Sequence, residues 1–295
     1  MKSEASMGGA NAHSAGENRP ALAVPTGACD CHMHVFDKAY PVAADAVLRH
    51  PDAGLEGYRG LQHRLGVQRH VIVQPSIYGL DNSLLVNALA AAASLARGVA
   101  VVDDAVSDEE LRFLSSRGVA GTRFNLVQRG ATRLGMLESV ARRIEPLGWH
   151  VQLHLEPADL LEHHALIARL PVPVVLDHWA RVALDASLQP DLLACIDRLL
   201  EAGNTWIKLS GAYLATRSSA PHDDLGVCAR RWADRRPDRL LWGTDWPHAT
   251  EAVKPNDADL LDLLAHWLPD AVTRQRVLVD NPQRLYGFDV VAAAA

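Results

Sequence analysis

The chain has 295 residues, of which 48% are hydrophobic and 22% are charged, and its formal net charge is −6. This composition predicts a large folded core rather than disorder. The acidic balance argues against a nucleic-acid partner, because such proteins normally carry a strongly basic stripe. A small anionic ligand stays open, since local arginines can override the global sign.

The length allows either two domains or one large barrel. Residues 1–26 are rich in Gly, Ala, Ser and Asn and predict a flexible leader, and 289–295 predict a frayed tail. Between them, 27–288 contain no linker and predict one domain. No segment has the roughly 18 consecutive apolar residues that a membrane helix needs. The four cysteines are scattered and no secretory signal precedes them, which predicts reduced thiols and a cytoplasmic location.

Short apolar segments rich in β-branched residues predict eight strands. They span 28–35, 69–74, 98–102, 119–126, 149–155, 172–178, 204–210 and 239–245. The intervening segments have helical periodicity. Ser107 followed by Glu110 predicts a capping box, and Pro157 predicts the first turn of another helix.

Strands that alternate with helices in this way favour a (β/α)8 TIM barrel. A doubly wound open sheet is the structural alternative. That fold usually has a glycine-rich phosphate loop after its first strand, and no such loop follows the first predicted strand here.

The first predicted strand contains His32 and His34, which alternation places on one face, with Cys31 and Met33 on the other. Two imidazoles directed at one point suit a metal ion or a polarised carbonyl group. The Cys29-x-Cys31 pair is interpreted as small residues that pack behind the strand rather than as half of a metal site.

The carboxyl ends of barrel strands carry the active site. Polar residues stand at most of the predicted strand ends, and together they favour a functional site over separate core histidines. They are His32, His34, Ser76, Arg123, His154, His178, Ser210 and Asp245. His248, in the loop after the eighth strand, is interpreted first as an ordinary loop residue, and a position behind this site is the alternative.

Three arginines follow predicted strands: Arg123 and Arg129 near the end of the fourth, and Arg217 after the seventh. Guanidinium groups bind carboxylates in a forked geometry, so three of them above one barrel mouth suit a substrate with one or two acidic groups. A solvated or salt-bridged arginine is the alternative for each.

The histidine pattern, the segment Gly243-Thr244-Asp245-Trp246-Pro247-His248 and the closing Asp280-Asn281-Pro282-Gln283-Arg284-Leu285-Tyr286 resemble the amidohydrolase superfamily. The resemblance covers about 26–288. Within the superfamily the chain looks most like the branch of 2-pyrone-4,6-dicarboxylate lactonases and related muconolactone and sugar-acid lactone hydrolases.

The resemblance implies roles for the site residues. Asp245 would be the general base, and His32, His34 and His178 would polarise a lactone carbonyl without a metal. Arg123, Arg129, Arg217 and Ser76 would hold the carboxylates and ring of a small anionic lactone.

The chain departs from the dicarboxylate lactonases at His154, where they have tyrosine. A histidine there is similar to the ligand set of zinc-using relatives, in which His32, His34, His178 and Asp245 would bind the metal. The alternatives are therefore a zinc-dependent sulfomuconolactone or sugar-acid lactone hydrolase, an aldarolactone isomerase, or a non-catalytic binder of small carboxylates. The sequence leaves the oligomeric state open.

Overall fold

The computed structural model describes residues 12–128 and 130–290. Eight parallel strands form one sheet in the order of the chain. They are β1 (Cys29–Met33), β2 (Arg69–Val73), β3 (Ala96–Ala100), β4 (Val119–Asn125), β5 (His150–His154), β6 (Val174–Leu176), β7 (Thr205–Ser210) and β8 (Leu240–Gly243). Each lies within or overlaps a predicted strand, and the predicted (β/α)8 barrel is confirmed.

The helices that cover this barrel run between successive strands and beyond the last one. They are α1 (Leu55–Leu65), α2 (Ser83–Ala92), α3 (Asp108–Ser116), α4 (Leu137–Ile144), α5 (Pro157–Ile167), α6 (Gln189–Glu201), α7 (Asp223–Arg235), α8 (Asp257–Trp267), α9 (Ala271–Gln275) and α10 (Asn281–Tyr286). Of the predicted capping box the structure shows the N-cap bond, in which Ser107 Oγ accepts from the amide of Glu110 at 3.0 Å. Pro157 is the first residue of α5, as predicted. No helix in the described part of the chain is both long and apolar enough to cross a bilayer.

The barrel closes between β8 and β1. The amide of Asp245 donates to the carbonyl of His32, and the amide of His34 donates to the carbonyl of Trp246, both at 2.8 Å. These bonds join the chain's first strand to the loop after its last strand. They place the two strand-1 histidines beside the aspartate that lies more than 200 positions away in the sequence.

Asp30 strengthens this seam from a buried position. Its carboxylate accepts from the amide of Thr244 at 2.9 Å, from the hydroxyl of the same residue at 2.6 Å and from Tyr58 Oη at 2.9 Å. Burial raises the pKa of Asp30 to about 6, although these hydrogen bonds act in the opposite direction. Gly243 faces the same seam, because a Cβ atom there would lie 2.7 Å from the backbone nitrogen of His32.

The lower part of the barrel interior is apolar. Cys29 and Cys31 pack there with valines of neighbouring strands, whereas Met33 belongs to the separate core outside the barrel. The expectation that Cys31 and Met33 share a face is therefore wrong. The pairing of β1 with β2 shifts register between Asp30 and Met33, and this irregularity breaks the alternation of faces.

Residues 12–26, which belong to the predicted flexible leader, are hydrogen-bonded to the barrel in several places. The amides of Ala21 and Leu22 donate to the carboxylate of Asp262 in α8 at 2.9 and 2.8 Å. The remainder of that predicted leader, residues 1–11, lies outside the described residues, as do 291–295 of the predicted tail.

Candidate active site

A small cavity of about 60 Å³ opens at the carboxyl ends of the strands. Most of the predicted site residues meet there. Its lining includes His34, Ser76, Arg123, His154, His178 and Asp245. His32 lies fully buried beside this lining.

Three histidines and one aspartate converge at the floor of this cavity. The Nε2 atoms of His32 and His34 are 3.3 Å apart. Asp245 Oδ1 lies 3.6 Å from His32 Nε2, 3.5 Å from His34 Nε2 and 3.9 Å from His178 Nε2. The predicted meeting of the strand-1 pair with Asp245 is thus present in the fold.

The rings are turned by the groups behind them. His34 Nδ1 lies 2.8 Å from the carbonyl oxygen of Val73, which can only accept a hydrogen bond. His178 Nδ1 lies 3.1 Å from Ser210 Oγ. A neutral imidazole that donates from Nδ1 has its lone pair at Nε2. The contact with the Val73 carbonyl therefore favours the His34 tautomer that has its lone pair at Nε2, whereas Ser210 Oγ can donate to or accept from His178.

Asp177 was not singled out from the sequence, yet it lies at the centre of a buried polar network. Its Oδ1 is 3.4 Å from His32 Nδ1 and 3.5 Å from Lys208 Nζ. Its Oδ2 accepts from Arg123 Nε and from Gln152 Nε2, both at 3.0 Å. Burial alone would raise the pKa of Asp177, but the charges of Lys208 and Arg123 and the hydrogen bond from His32 outweigh burial and hold the pKa well below its usual range.

The protonation states follow from burial and charge. Burial lowers the pKa of His32 and of His178, which favours their neutral forms. Burial alone would raise the pKa of Asp245, but the neighbouring histidines more than offset it and hold the pKa below its usual range. Asp245 is thus an ionised carboxylate among imidazoles, as a general base or a metal ligand must be.

This donor set fits a zinc ion. Ligand atoms about 2.0–2.1 Å from a tetrahedral zinc lie roughly 3.4 Å from one another. The set formed by His32, His34 and Asp245 has spacings of 3.3, 3.6 and 3.5 Å. Its imidazole lone pairs and carboxylate oxygen repel one another unless a cation or a donated proton lies between them.

His154 lies beside this set but does not join it. Its ring centroid is 4.8 Å from that of His178. Among the described residues, two sets have donor atoms close enough to share a metal ion, and His154 belongs to neither set. Both ring nitrogens are buried without a hydrogen-bond partner among the described residues. Such atoms are costly to bury, and His154 lines the cavity.

The polar part of the cavity wall also comprises Arg123, Ser76 and Asn125, whose Nδ2 donates to Ser76 Oγ at 2.9 Å. Arg217 does not join this wall in the structure, because it is exposed and outside the cavity lining. Arg129 lies outside the described residues.

The backbone is strained at the site. His178, Trp179, Ala180 and Arg181 all have positive φ angles, and Asp245 has a φ of 66°. Non-glycine residues rarely adopt this region, and such outliers cluster at functional sites. Sequence patterns give no signal for this conformation.

Proteins of known activity resemble the chain along most of its length. It is 36% identical over 274 residues to a 4-sulfomuconolactone hydrolase of Rhizobium radiobacter, covering 90% of this chain and 92% of that protein. It is 36% identical over 286 residues to a 2-pyrone-4,6-dicarboxylate hydrolase of Comamonas testosteroni, covering 92% and 94%. A D-galactarolactone isomerase of Agrobacterium fabrum is 31% identical over 279 residues, covering 93% and 96%.

Solved structures agree with this picture. A crystal structure from Acinetobacter baumannii, described as a probable 2-pyrone-4,6-dicarboxylic acid hydrolase with citric acid bound, superposes with a TM-score of 0.81 at 26% identity. The match covers 89% of this chain and all (100%) of that one. The amidohydrolase family model matches residues 29–288. The chain therefore belongs to the amidohydrolase family.

Proposed function

We propose that the protein is a lactonase that hydrolyses the ring of an acidic, dicarboxylic lactone, with Asp245 as general base. One observation carries the proposal. The ionised carboxylate of Asp245 faces three imidazole nitrogens at 3.5–3.9 Å in a cavity whose lining includes Arg123. A base and a cation in one cavity suit a substrate with both a reactive carbonyl and an acid group.

The relatives narrow the substrate class. The three named above act, by their names, on a sulfomuconolactone, a pyrone dicarboxylate and a galactarolactone. These names share a ring ester, and the first two also name an anionic group. The related structure from Acinetobacter baumannii holds citric acid, which is itself a polycarboxylic acid.

The reaction needs one water and one proton carrier. Asp245 takes a proton from the water, and the resulting hydroxide adds to the lactone carbonyl carbon. When the tetrahedral intermediate collapses, the ring C–O bond breaks and Asp245 returns the proton to the leaving oxygen. The sum is lactone plus water giving an open-chain hydroxy acid or its keto form.

His32, His34 and Asp245 would hold a zinc ion, with His178 close by, because their donor atoms have the spacing that a tetrahedral zinc requires. When bound, zinc would supply Lewis-acid polarisation of the substrate carbonyl. Asp177 keeps the ring of His32 in place through Nδ1.

Ester hydrolysis tests the proposal directly. Purified protein is screened by pH-stat for acid release from pyrone, muconolactone and aldarolactone substrates, each paired with a neutral ester analogue. We expect turnover of acidic lactones and weaker turnover of their neutral analogues. The Asp245→Asn variant should lose about 10²–10⁴-fold in kcat while still binding the hydroxy-acid product. Full turnover by that variant would contradict the role of Asp245.

Metal analysis of the same preparation is the second arm. We expect about one equivalent of zinc, and loss of turnover after chelation that added zinc restores. Unchanged turnover after complete metal removal would instead favour carbonyl polarisation by the histidines alone.

A lactone isomerase is the second candidate, because the galactarolactone isomerase is 31% identical to the chain. An isomerase would move the acyl group to another hydroxyl through the same base. It would change the ring signals in NMR spectra without net release of acid, so the pH-stat distinguishes it from a hydrolase.

A further inference from the structure

The two carboxylate oxygens of Asp245 have different surroundings. Oδ1 faces the Nε2 atoms of the histidines, whereas Oδ2 accepts from the hydroxyl of Tyr213 at 2.7 Å. The backbone at Gly211 closes beside Oδ2, because a Cβ atom there would lie 3.3 Å from it. Oδ2 is therefore held by Tyr213, and Oδ1 is the oxygen that faces the site floor.

His248 in turn contacts the hydroxyl of Tyr213 and orients it. The Tyr213 hydroxyl lies 2.8 Å from His248 Nδ1. The hydroxyl has one proton and donates it to the ionised Asp245, so His248 donates from Nδ1 to the hydroxyl oxygen. The other ring nitrogen, Nε2, lies 3.1 Å from Asp257 Oδ2. Both nitrogens of this ring thus face an oxygen atom.

The residues at the far end of this series of hydrogen bonds are shielded from solvent. His248 and Asp257 are both fully buried. Asp257 is the first residue of α8, directly after the N-cap Asn256, where the helix dipole stabilises a negative charge. The amide of His248 also donates to the carbonyl of Asp245 at 2.8 Å. Three hydrogen-bonded side chains therefore connect the start of α8 to the proposed base.

We propose that Tyr213 is a positioning residue for the reaction, and that His248 and Asp257 hold it so that Asp245 presents Oδ1 to the histidines of the site floor. The inference rests on the proposed role of Asp245. A carboxylate can rotate about its terminal torsion, and a base displaced by 1 Å can lose on the order of 10²-fold in rate. The bond from Tyr213 restricts that rotation.

The kinetic test is Tyr213→Phe, which removes one oxygen atom. We expect kcat on the active lactone to fall by about 10- to 100-fold, with KM and product affinity nearly unchanged. Tyr40→Phe is the matched control, because Tyr40 Oη accepts from Asn87 Nδ2 and Tyr40 is not among the residues that line the cavity. The control should keep wild-type kcat. Wild-type kcat in Tyr213→Phe would overturn the inference.

A double-mutant cycle separates positioning from general weakening of the fold. If His248 acts through Tyr213, adding His248→Gln to Tyr213→Phe should lower kcat little further, because both changes break the same series of hydrogen bonds. Rate losses that multiply would show independent roles and contradict the proposal. Should His248→Gln fail to fold, Asp257→Asn takes its place in the cycle.

A substrate-free measurement keeps this inference separate from the proposed function. In a crystal structure of Tyr213→Phe we expect the Asp245 carboxylate to be rotated or disordered relative to wild type. An unchanged carboxylate would overturn the inference. If wild-type protein turned over no lactone, the proposed function would fail while this structural comparison still decided the role of Tyr213.

Discussion

The buried ring of His154 has two nitrogen atoms without a hydrogen-bond partner among the described residues. A buried polar atom without a partner costs about 1–3 kcal/mol of stability. A histidine with only a packing role would gain nothing that offsets this cost. A substrate or a metal-held water in the adjoining cavity could instead accept or donate a hydrogen bond at this ring. Stability and activity should therefore respond in opposite directions when this ring is changed.

The His154→Phe variant tests that expectation. We expect its free energy of unfolding to rise by about 1 kcal/mol in urea titrations, while kcat/KM on the active lactone falls. His164→Phe is the control, because the half-buried His164 already donates from Nδ1 to the carbonyl of Leu161 at 2.8 Å, so its replacement should gain no stability. Unchanged kcat/KM in His154→Phe would assign His154 to the core.

The site could be predicted from the sequence only as far as strand ends mark it. His32, His34, His178 and Asp245 were predictable because each stands at or just beyond the end of an apolar strand. Lys208 and Asp177 were not, since a charged residue within or just after an apolar strand gives no sign of its partners. Tyr213 lies in a short helical turn, Ala212–Leu214, that has no sequence signature of function.

At the scale of elements, the seam between β8 and β1 sets the geometry of the site. The eight strands were predictable from short β-branched runs, but their closure depends on one residue that such runs do not reveal. Gly243 lies against the backbone of His32, and a Cβ atom there would be 2.7 Å from its nitrogen and 2.8 Å from its Cβ. Backbone cannot yield to this clash as a flexible side chain can.

Gly243→Ala should therefore destabilise the protein by about 1–3 kcal/mol and reduce lactone turnover, because the strands that hold His32 and Asp245 must move apart. Gly60→Ala in the middle of α1 is the matched control. Nothing lies within 4 Å of its added Cβ, so it should stabilise the helix by about 0.5–1 kcal/mol. Thermal unfolding and kcat of both variants measure the difference, and equal behaviour would contradict the role of the seam.

For the whole molecule, buried neutral histidines set the response to acid. Burial lowers the pKa of His70 to about 4 and of His150 to about 3. In the unfolded chain both titrate near the ordinary value of about 6.5. At pH values between the folded-state and the unfolded-state pKa, the unfolded state binds protons that the native state does not bind. The free energy of unfolding therefore decreases as the pH falls below about 6.5.

Each such histidine should cost roughly 2 kcal/mol between pH 7 and pH 5. His70→Gln removes one of them, and urea unfolding at the two pH values should show a pH-dependent loss smaller than wild type by about that amount. The exposed His63 supplies the control, since His63→Gln should keep the wild-type pH dependence. An equal loss in His70→Gln and wild type would show that His70 does not carry the effect.

Asp177 contacts His32 of the cavity floor with one carboxylate oxygen and Arg123, the proposed acid-binding residue, with the other. Because of this link, replacing Arg123 also disturbs His32. A substitution that changes substrate binding at Arg123 would therefore also change the catalytic histidines. Change of substrate range, in natural divergence or in the laboratory, should start at cavity residues outside this link. Three apolar residues line the cavity outside this link: Leu48, Leu214 and Ala249. Substitutions at these positions could make room for new ring substituents without changing the catalytic residues.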